Sequence, residues 1–114
     1  MQNHQPFYHR VDGLTFLSKA RTDSGELEEL FSKLLSKKPF VKGSVIVEEL
    51  HEKECDGTYS YEVEGLLFTA IYDVEQSEFL KAIKKAFDKK PFMKNSIGDE
   101  FDIESEPGDP ADLM

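Results

Sequence analysis

Two octapeptides in this chain are identical at six of their eight positions: Lys37-Lys38-Pro39-Phe40-Val41-Lys42-Gly43-Ser44 and Lys89-Lys90-Pro91-Phe92-Met93-Lys94-Asn95-Ser96. The two copies lie 52 residues apart, and the same offset carried outward aligns residues 7–52 with residues 59–104 without a gap. Fourteen of the 46 aligned positions are identical, against about three expected by chance at ordinary composition. The sequence therefore predicts an internal duplication.

Each repeat begins with a predicted strand. Residues 7–20 and 59–72 are rich in aromatic and branched side chains, which favour strands. Both segments have a glycine at the equivalent position, Gly13 and Gly65. A glycine inside a strand often marks a bulge or a bend.

A helix is predicted next in each repeat, because the apolar residues recur at i, i+3, i+4, i+7 and i+8. The stripes are Leu27, Leu30, Phe31, Leu34 and Leu35 in the first repeat, and Phe79, Ala82, Ile83, Ala86 and Phe87 in the second. Pro39 and Pro91 follow, and proline disfavours a helical residue before it. The second strands are predicted at 44–54 and 97–104.

The two repeats meet at Asp56-Gly57, a strong signal for a two-residue hairpin turn. The predicted order is therefore strand–helix–strand, hairpin, strand–helix–strand. Right-handed crossovers then favour a ferredoxin-like α+β fold: a four-stranded antiparallel sheet, order 4-1-3-2, with two helices on one face. We expect one domain over residues 1–104 and an acidic, flexible tail over residues 105–114.

The composition indicates a soluble globular chain, with 39% hydrophobic and 32% charged residues and a net charge of −9. This charge disfavours binding to nucleic acid or to an anionic membrane. The sequence shows no signal peptide and no membrane-spanning run. The one cysteine, Cys55, excludes an internal disulfide, and the cytoplasm is the expected compartment.

The hairpin register predicts an apolar sheet face on the side away from the helices. Its candidate interface or ligand residues are Leu17, Ile46, Leu50, Tyr59, Tyr61, Val63, Leu67 and Ile71. Such a patch on a soluble protein usually marks an interface. Three interpretations stay open: sheet-to-sheet packing in a homodimer, docking of another protein or an apolar ligand, or a bulge at Gly13 or Gly65 that shifts the register.

The repeated octapeptides supply six candidate anion-binding residues, Lys37, Lys38, Lys42, Lys89, Lys90 and Lys94. They could contact phosphates, but lysines also suit helix C-termini. The antiparallel arrangement of strands one and three places the two groups at opposite ends of the domain. His51, Glu62 and Glu64 form a weak candidate cluster for a divalent ion. We predict no metal and no cofactor.

The leading functional hypothesis is a non-enzymatic protein-binding module, an adaptor, regulator or inhibitor, which forms a homodimer through the open sheet face. Its acidity favours a basic partner; one version is an inhibitor that competes with nucleic acid for a basic groove. One alternative is a sheet-to-sheet dimer that binds a small apolar ligand or acts as a small enzyme. Another is nucleic-acid binding through the paired lysine segments.

Overall fold

The protein has an α+β fold, seen in a computed structural model that describes residues 6–109. A four-stranded antiparallel sheet and two helices make up the fold. In chain order the elements are β1 (Phe7–Ser18), α1 (Ser24–Leu34), β2 (Ile46–Cys55), β3 (Thr58–Ala70), α2 (Gln76–Lys84), a 3₁₀ turn (Ala86–Asp88) and β4 (Asp102–Pro107). Across the sheet the order is β2-β3-β1-β4.

The hairpin between β2 and β3 has the predicted turn. Asp56 and Gly57 both have positive φ, 51° and 80°, as a two-residue turn of this type requires. Cys55 pairs with Thr58 across it. The register counted back from this pair is confirmed, because Val47 lies opposite Leu66.

The apolar stripes predicted for the two helices pack against the sheet. In α1, Leu27 and Phe31 are buried, and the Asp23 side chain caps the first turn by accepting a hydrogen bond from Glu26 N at 2.8 Å. In α2, Phe79 and Ile83 are buried, but the α-helix ends at Lys84. The end of the second stripe, Phe87, reaches the core from the 3₁₀ turn.

Two glycine bulges direct the apolar side chains of the central strands to one face of the sheet. Gly13 and Gly65 have φ of +82° and +72°, and the pairing of β1 with β3 is irregular between Val11 and Leu14. Val63 and Leu66 are three residues apart, yet both are fully buried. In a regular strand these two side chains would point to opposite faces. The extra residue at each bulge reverses the alternation.

The prediction that Tyr61 and Val63 lie on an exposed apolar face is therefore wrong. Their exposures are 1% and 0%, and both belong to the core beneath the helices. Leu50 and Tyr59 also pack against this core. The pairing of β2 with β3 was predicted correctly, but the side-chain directions were not. The prediction carried a strict two-residue period through Gly65, so the direction of every β3 side chain before the bulge was inverted. Of the three interpretations, the structure supports the glycine bulge.

The repeated Lys-Lys-Pro-Phe segments extend the sheet. After α1, Val41 N donates to Thr69 O at 2.9 Å, and Ile71 N donates to Pro39 O at 2.8 Å. Phe40 is thereby directed into the core, where it meets the ring of Phe68 edge-on.

The second copy of the segment repeats these contacts on β1. Met93 N donates to Leu17 O, and Lys19 N donates to Pro91 O. The Phe92 ring packs against Phe16. The repeated sequence therefore forms the same connection in both halves, which brings the chain back to the sheet after each helix.

The last strand lies later in the chain than predicted. Strand β4 begins at Asp102, and residues 105–107, expected to belong to the tail, pair with Phe7–His9 of β1. The backbone groups of β1 provide hydrogen-bond partners for this segment. Its polar composition did not indicate a strand. Gly98 belongs to the predicted strand but lies outside the observed one. Its N donates to Thr15 O of β1. Residues 110–114 of the predicted tail lie outside the described residues.

We predict that Gly13→Ala lowers the free energy of unfolding by about 1–2 kcal/mol, because φ of +82° is unfavourable for a residue with a side chain. Gly65→Ala should lower it further, since a Cβ there would collide with the Glu48 carboxylate. Urea unfolding measures both effects. Gly25→Ala in the first turn of α1 is the control, and should be neutral or stabilising by less than about 1 kcal/mol. Equal stability of all three variants would contradict the role assigned to the bulges.

We predict that Phe40→Ala costs about 3–5 kcal/mol of stability, because it empties a buried aromatic site. Lys37→Ala, in the same segment but exposed, should change stability by less than about 0.5 kcal/mol. Thermal or urea unfolding compares the two variants. A larger loss at Lys37 than at Phe40 would mean that the segment is not held by its aromatic contact.

Candidate functional site

The face of the sheet turned away from the helices carries a row of four side chains from the four strands. Ile46, Leu67, Arg10 and Glu104 are consecutive partners in the pairing of β2, β3, β1 and β4. Ile46 is 50% exposed, and Arg10 and Glu104 are also exposed. We call this side of the sheet the open face.

A second row lies beside the first, toward the beginning of β1. Thr69, Tyr8 and Glu106 are consecutive partners there. On the other side of the first row, Asp12 pairs with Asp102. A groove of about 550 Å³ lies over the first two rows, lined by Ile46 and Leu67 at one side and by Glu104 and Glu106 at the other.

Arg10, in the centre of the open face, is held by two carboxylates. Its Nε donates to Asp12 Oδ2 at 2.9 Å, and one terminal nitrogen donates to Glu48 Oε1 at 2.8 Å. The second oxygen of Asp12 accepts a hydrogen bond from Gly65 N at 2.8 Å. The guanidinium is therefore tied to the bulge and directed toward β2, away from β4.

The carboxylates at this bulge have shifted pKa values. Partial burial alone would raise the pKa of Asp12, but the hydrogen bond from Gly65 N and the pairing with Arg10 outweigh it and lower the pKa. The pKa of Glu64 is raised, first by partial burial and then by repulsion from Glu62. Asp12 thus keeps its negative charge beside Arg10 across the physiological range.

Strand β4 presents acidic side chains with no basic residue. Asp102, Glu104 and Glu106 are all exposed, and their strand partners Asp12, Arg10 and Tyr8 place them on the open face. Within residues 6–109, no salt bridge involves any of these three carboxylates. The β4 side of the open face is therefore strongly negative and available to a cation.

The structure brings together only part of the predicted interface set. Ile46 and Leu67 are neighbours in the groove. Leu17 lies on the same face, at the far end of β1, and Ile71 follows the end of β3; both are half-buried. With Tyr61 and Val63 in the core, the apolar part of the open face is small.

The six candidate anion-binding lysines are all exposed and form two separate groups. Residues 37–42 lie beside the end of β3, and residues 89–94 lie beside the end of β1. Since these strands are antiparallel, the two groups are at opposite ends of the sheet. Lys90 and Lys94 line a separate open depression with Lys19, of about 830 Å³.

The candidate metal cluster is not assembled. His51 lies 3.4 Å from Glu49 on the exposed hairpin, but no set of three or more His, Cys, Asp or Glu residues among residues 6–109 could hold a metal ion. Cys55 is exposed and free of any disulfide. No helix in the described part of the chain is long and apolar enough to cross a membrane.

Sequence reasoning missed two features of the site. One is the Arg10 network, which depends on the bulge at Gly65; the identical glycines in both repeats were the available signal. The other is the buried His9. Its ring stacks on Phe68, and its Nε2 accepts a hydrogen bond from Val74 N at 3.0 Å. The ring proton must therefore lie on Nδ1, which donates to Phe7 O at 3.1 Å.

Comparison with known proteins adds no relative: no protein-family model, curated protein or solved structure matches this chain.

We predict that His9 makes the free energy of unfolding depend on pH. Burial lowers its pKa below the ordinary 6.5, although Asp73 partly opposes the shift. The unfolded chain then binds the proton more tightly, so the contribution of His9 is complete above pH 6.5 and is lost as the pH falls below it. Unfolding at pH values from about 7.5 to about 5.5 should show a falling free energy, with a slope of at most about 1.4 kcal/mol per pH unit.

The matched control for this measurement is the exposed His51. His51→Asn should keep the pH slope, whereas His9→Phe should flatten it. The slopes are compared rather than the absolute stabilities, so any repacking around the new phenylalanine does not matter. An unchanged slope in His9→Phe would contradict the assignment.

Proposed function

We propose that this protein is a non-enzymatic binding module that recognises a basic surface of another protein through its open face. The observation that carries the proposal is the internal neutralisation of Arg10. Since Asp12 and Glu48 hold this guanidinium, it does not compensate Asp102, Glu104 and Glu106. A row of carboxylates that form no salt bridge within residues 6–109, beside an apolar groove, favours a cationic partner by steering and by contact.

We also infer that the arrangement of elements is ferredoxin-like. The sheet order β2-β3-β1-β4 reads 4-1-3-2 from the opposite edge, which supports the inference. The core residues of both helices belong to one cluster with one side of the sheet, as expected if both helices cover the same face. This architecture hosts many functions and therefore does not itself indicate one.

The same geometry supports the predicted homodimer less well. A sheet-to-sheet dimer was inferred from a broad apolar face, and the glycine bulges move Tyr61 and Val63 from that face into the core. Two acidic faces brought together would also repel each other. A cytoplasmic regulator or inhibitor that occupies a nucleic-acid-binding groove on its partner remains the version of the proposal that fits an acidic face.

The proposal predicts that charge reversal on β4 weakens recognition of a polycation. The double variant Glu104→Lys, Glu106→Lys should bind a lysine-rich peptide of about 20 residues at least about tenfold more weakly than the natural chain, since each exposed ion pair contributes up to about 1 kcal/mol. Isothermal titration at low and moderate salt measures the affinity. Binding should weaken with added salt.

The matched control places the same charges on the helix side. Glu29 and Glu75 are exposed on that side, and Glu29→Lys, Glu75→Lys also adds four charges, which takes the net charge from −9 to −5. This variant should bind the peptide within about threefold of the natural chain, because screening limits charge effects to about 10 Å. An equal loss in both double variants would show that only net charge matters, and would contradict a defined acidic face.

A further inference from the structure

We propose that the basic segment bound by the open face is an amphipathic α-helix lying along β3 and β1. Its apolar stripe would pack on Ile46 and Leu67, and its lysine or arginine stripe would face Asp102, Glu104 and Glu106. This inference rests on the proposed function and specifies the partner's secondary structure and residue pattern.

The width of the site is the first argument for a helix. The open-face side chains of each strand form a line that we call a column. Leu67 of β3 and Glu104 of β4 are separated by one strand, so their columns lie about 9–10 Å apart at ordinary strand spacing. An extended segment parallel to the strands would place one line of side chains on a single column. A helix is about 10–12 Å across with its side chains, so it can present two stripes and cover both columns at once.

The spacing along the strand agrees with this arrangement. Asp102, Glu104 and Glu106 occupy alternate positions of β4, and their carboxylates therefore repeat about every 6.8 Å. Lysines at i, i+4 and i+8 of a helix repeat about every 6.0 Å. The difference is within the reach of flexible side chains, so three consecutive ion pairs can form.

An extended segment that crossed the strands would satisfy less of the site. Side chains three residues apart, about 10 Å, point to opposite faces of an extended segment, so such a segment could not contact Leu67 and Glu104 together and would reach, for example, Glu104 alone. It would then leave Asp102 and Glu106 unpaired. Only a segment that follows the strands and is wide enough for two columns uses the apolar and acidic parts together.

Arg10 lies beneath the proposed helix without opposing it. Its charge is balanced by Asp12 and Glu48, at 2.9 and 2.8 Å, and its side chain is directed toward β2. A cationic stripe facing β4 therefore meets only carboxylates there. Arg10 is directed toward β2, whereas the three carboxylates of β4 form no salt bridge within residues 6–109. This difference between the two sides of the open face sets the orientation of the helix about its own axis.

The test uses two synthetic 16-residue peptides of equal charge and the full chain. The first repeats Lys-Leu-Ala-Ala, which places a leucine stripe beside a lysine stripe on a helix. The second has two central alanines replaced by proline, which prevents a continuous helix. Fluorescence anisotropy should show at least tenfold tighter binding of the first peptide. Amide shifts in NMR spectra should concentrate at Leu67, Arg10 and Glu104 rather than on α1.

The variants separate the failure of this inference from failure of the proposed function. Equal affinity for both peptides, weakened for both by Glu104→Lys, Glu106→Lys, would overturn the helix and leave an acidic binding face. Affinity unaffected by that variant would overturn both proposals. If light scattering shows a dimer that the Ile46→Asp variant dissociates, a second copy covers the groove, and the helix proposal is wrong.

Discussion

Gly13 and Gly65 hold the backbone in the left-handed region, where residues with a side chain are strained. Each glycine therefore admits an extra residue into its central strand and reverses the alternation of side chains. Val11 and Leu14 of β1, and Val63 and Leu66 of β3, consequently point to the same side. Without the bulges, the apolar side chains on one side of each glycine would face water. The single aromatic core depends on this constraint.

The bulge also sets the charges of the opposite face. Asp12 accepts a hydrogen bond from Gly65 N with one oxygen and binds Arg10 with the other. Glu48 completes the environment of the guanidinium. The most prominent cation of the open face is thus part of the local structure of the bulge rather than of a binding surface. What remains for a partner is the acidic column of β4 and a small apolar groove.

The two repeats share core residues but differ in charge at part of the open face. Leu14 and Phe16 recur as Leu66 and Phe68, and all four are buried. On the open face the equivalent positions differ, as where Arg10 of the first repeat corresponds to Glu62 of the second. Packing restricts substitution in the core, whereas solvent tolerates changes of charge. The charge at this position of the open face therefore differs between the two repeats.

The sequence by itself determined the duplication, the strand–helix–strand order, the helices and the hairpin register, because the apolar period and the Asp56-Gly57 turn are local signals. It also placed the two lysine groups apart. Only the tertiary structure decided which way the strand residues point and where β4 ends. A strict two-residue period does not allow for an inserted residue, so Tyr61 and Val63 were assigned to the wrong face. The acidic site likewise exists only through pairing between β1 and β4, because no local pattern shows that Glu104 lies beside Arg10.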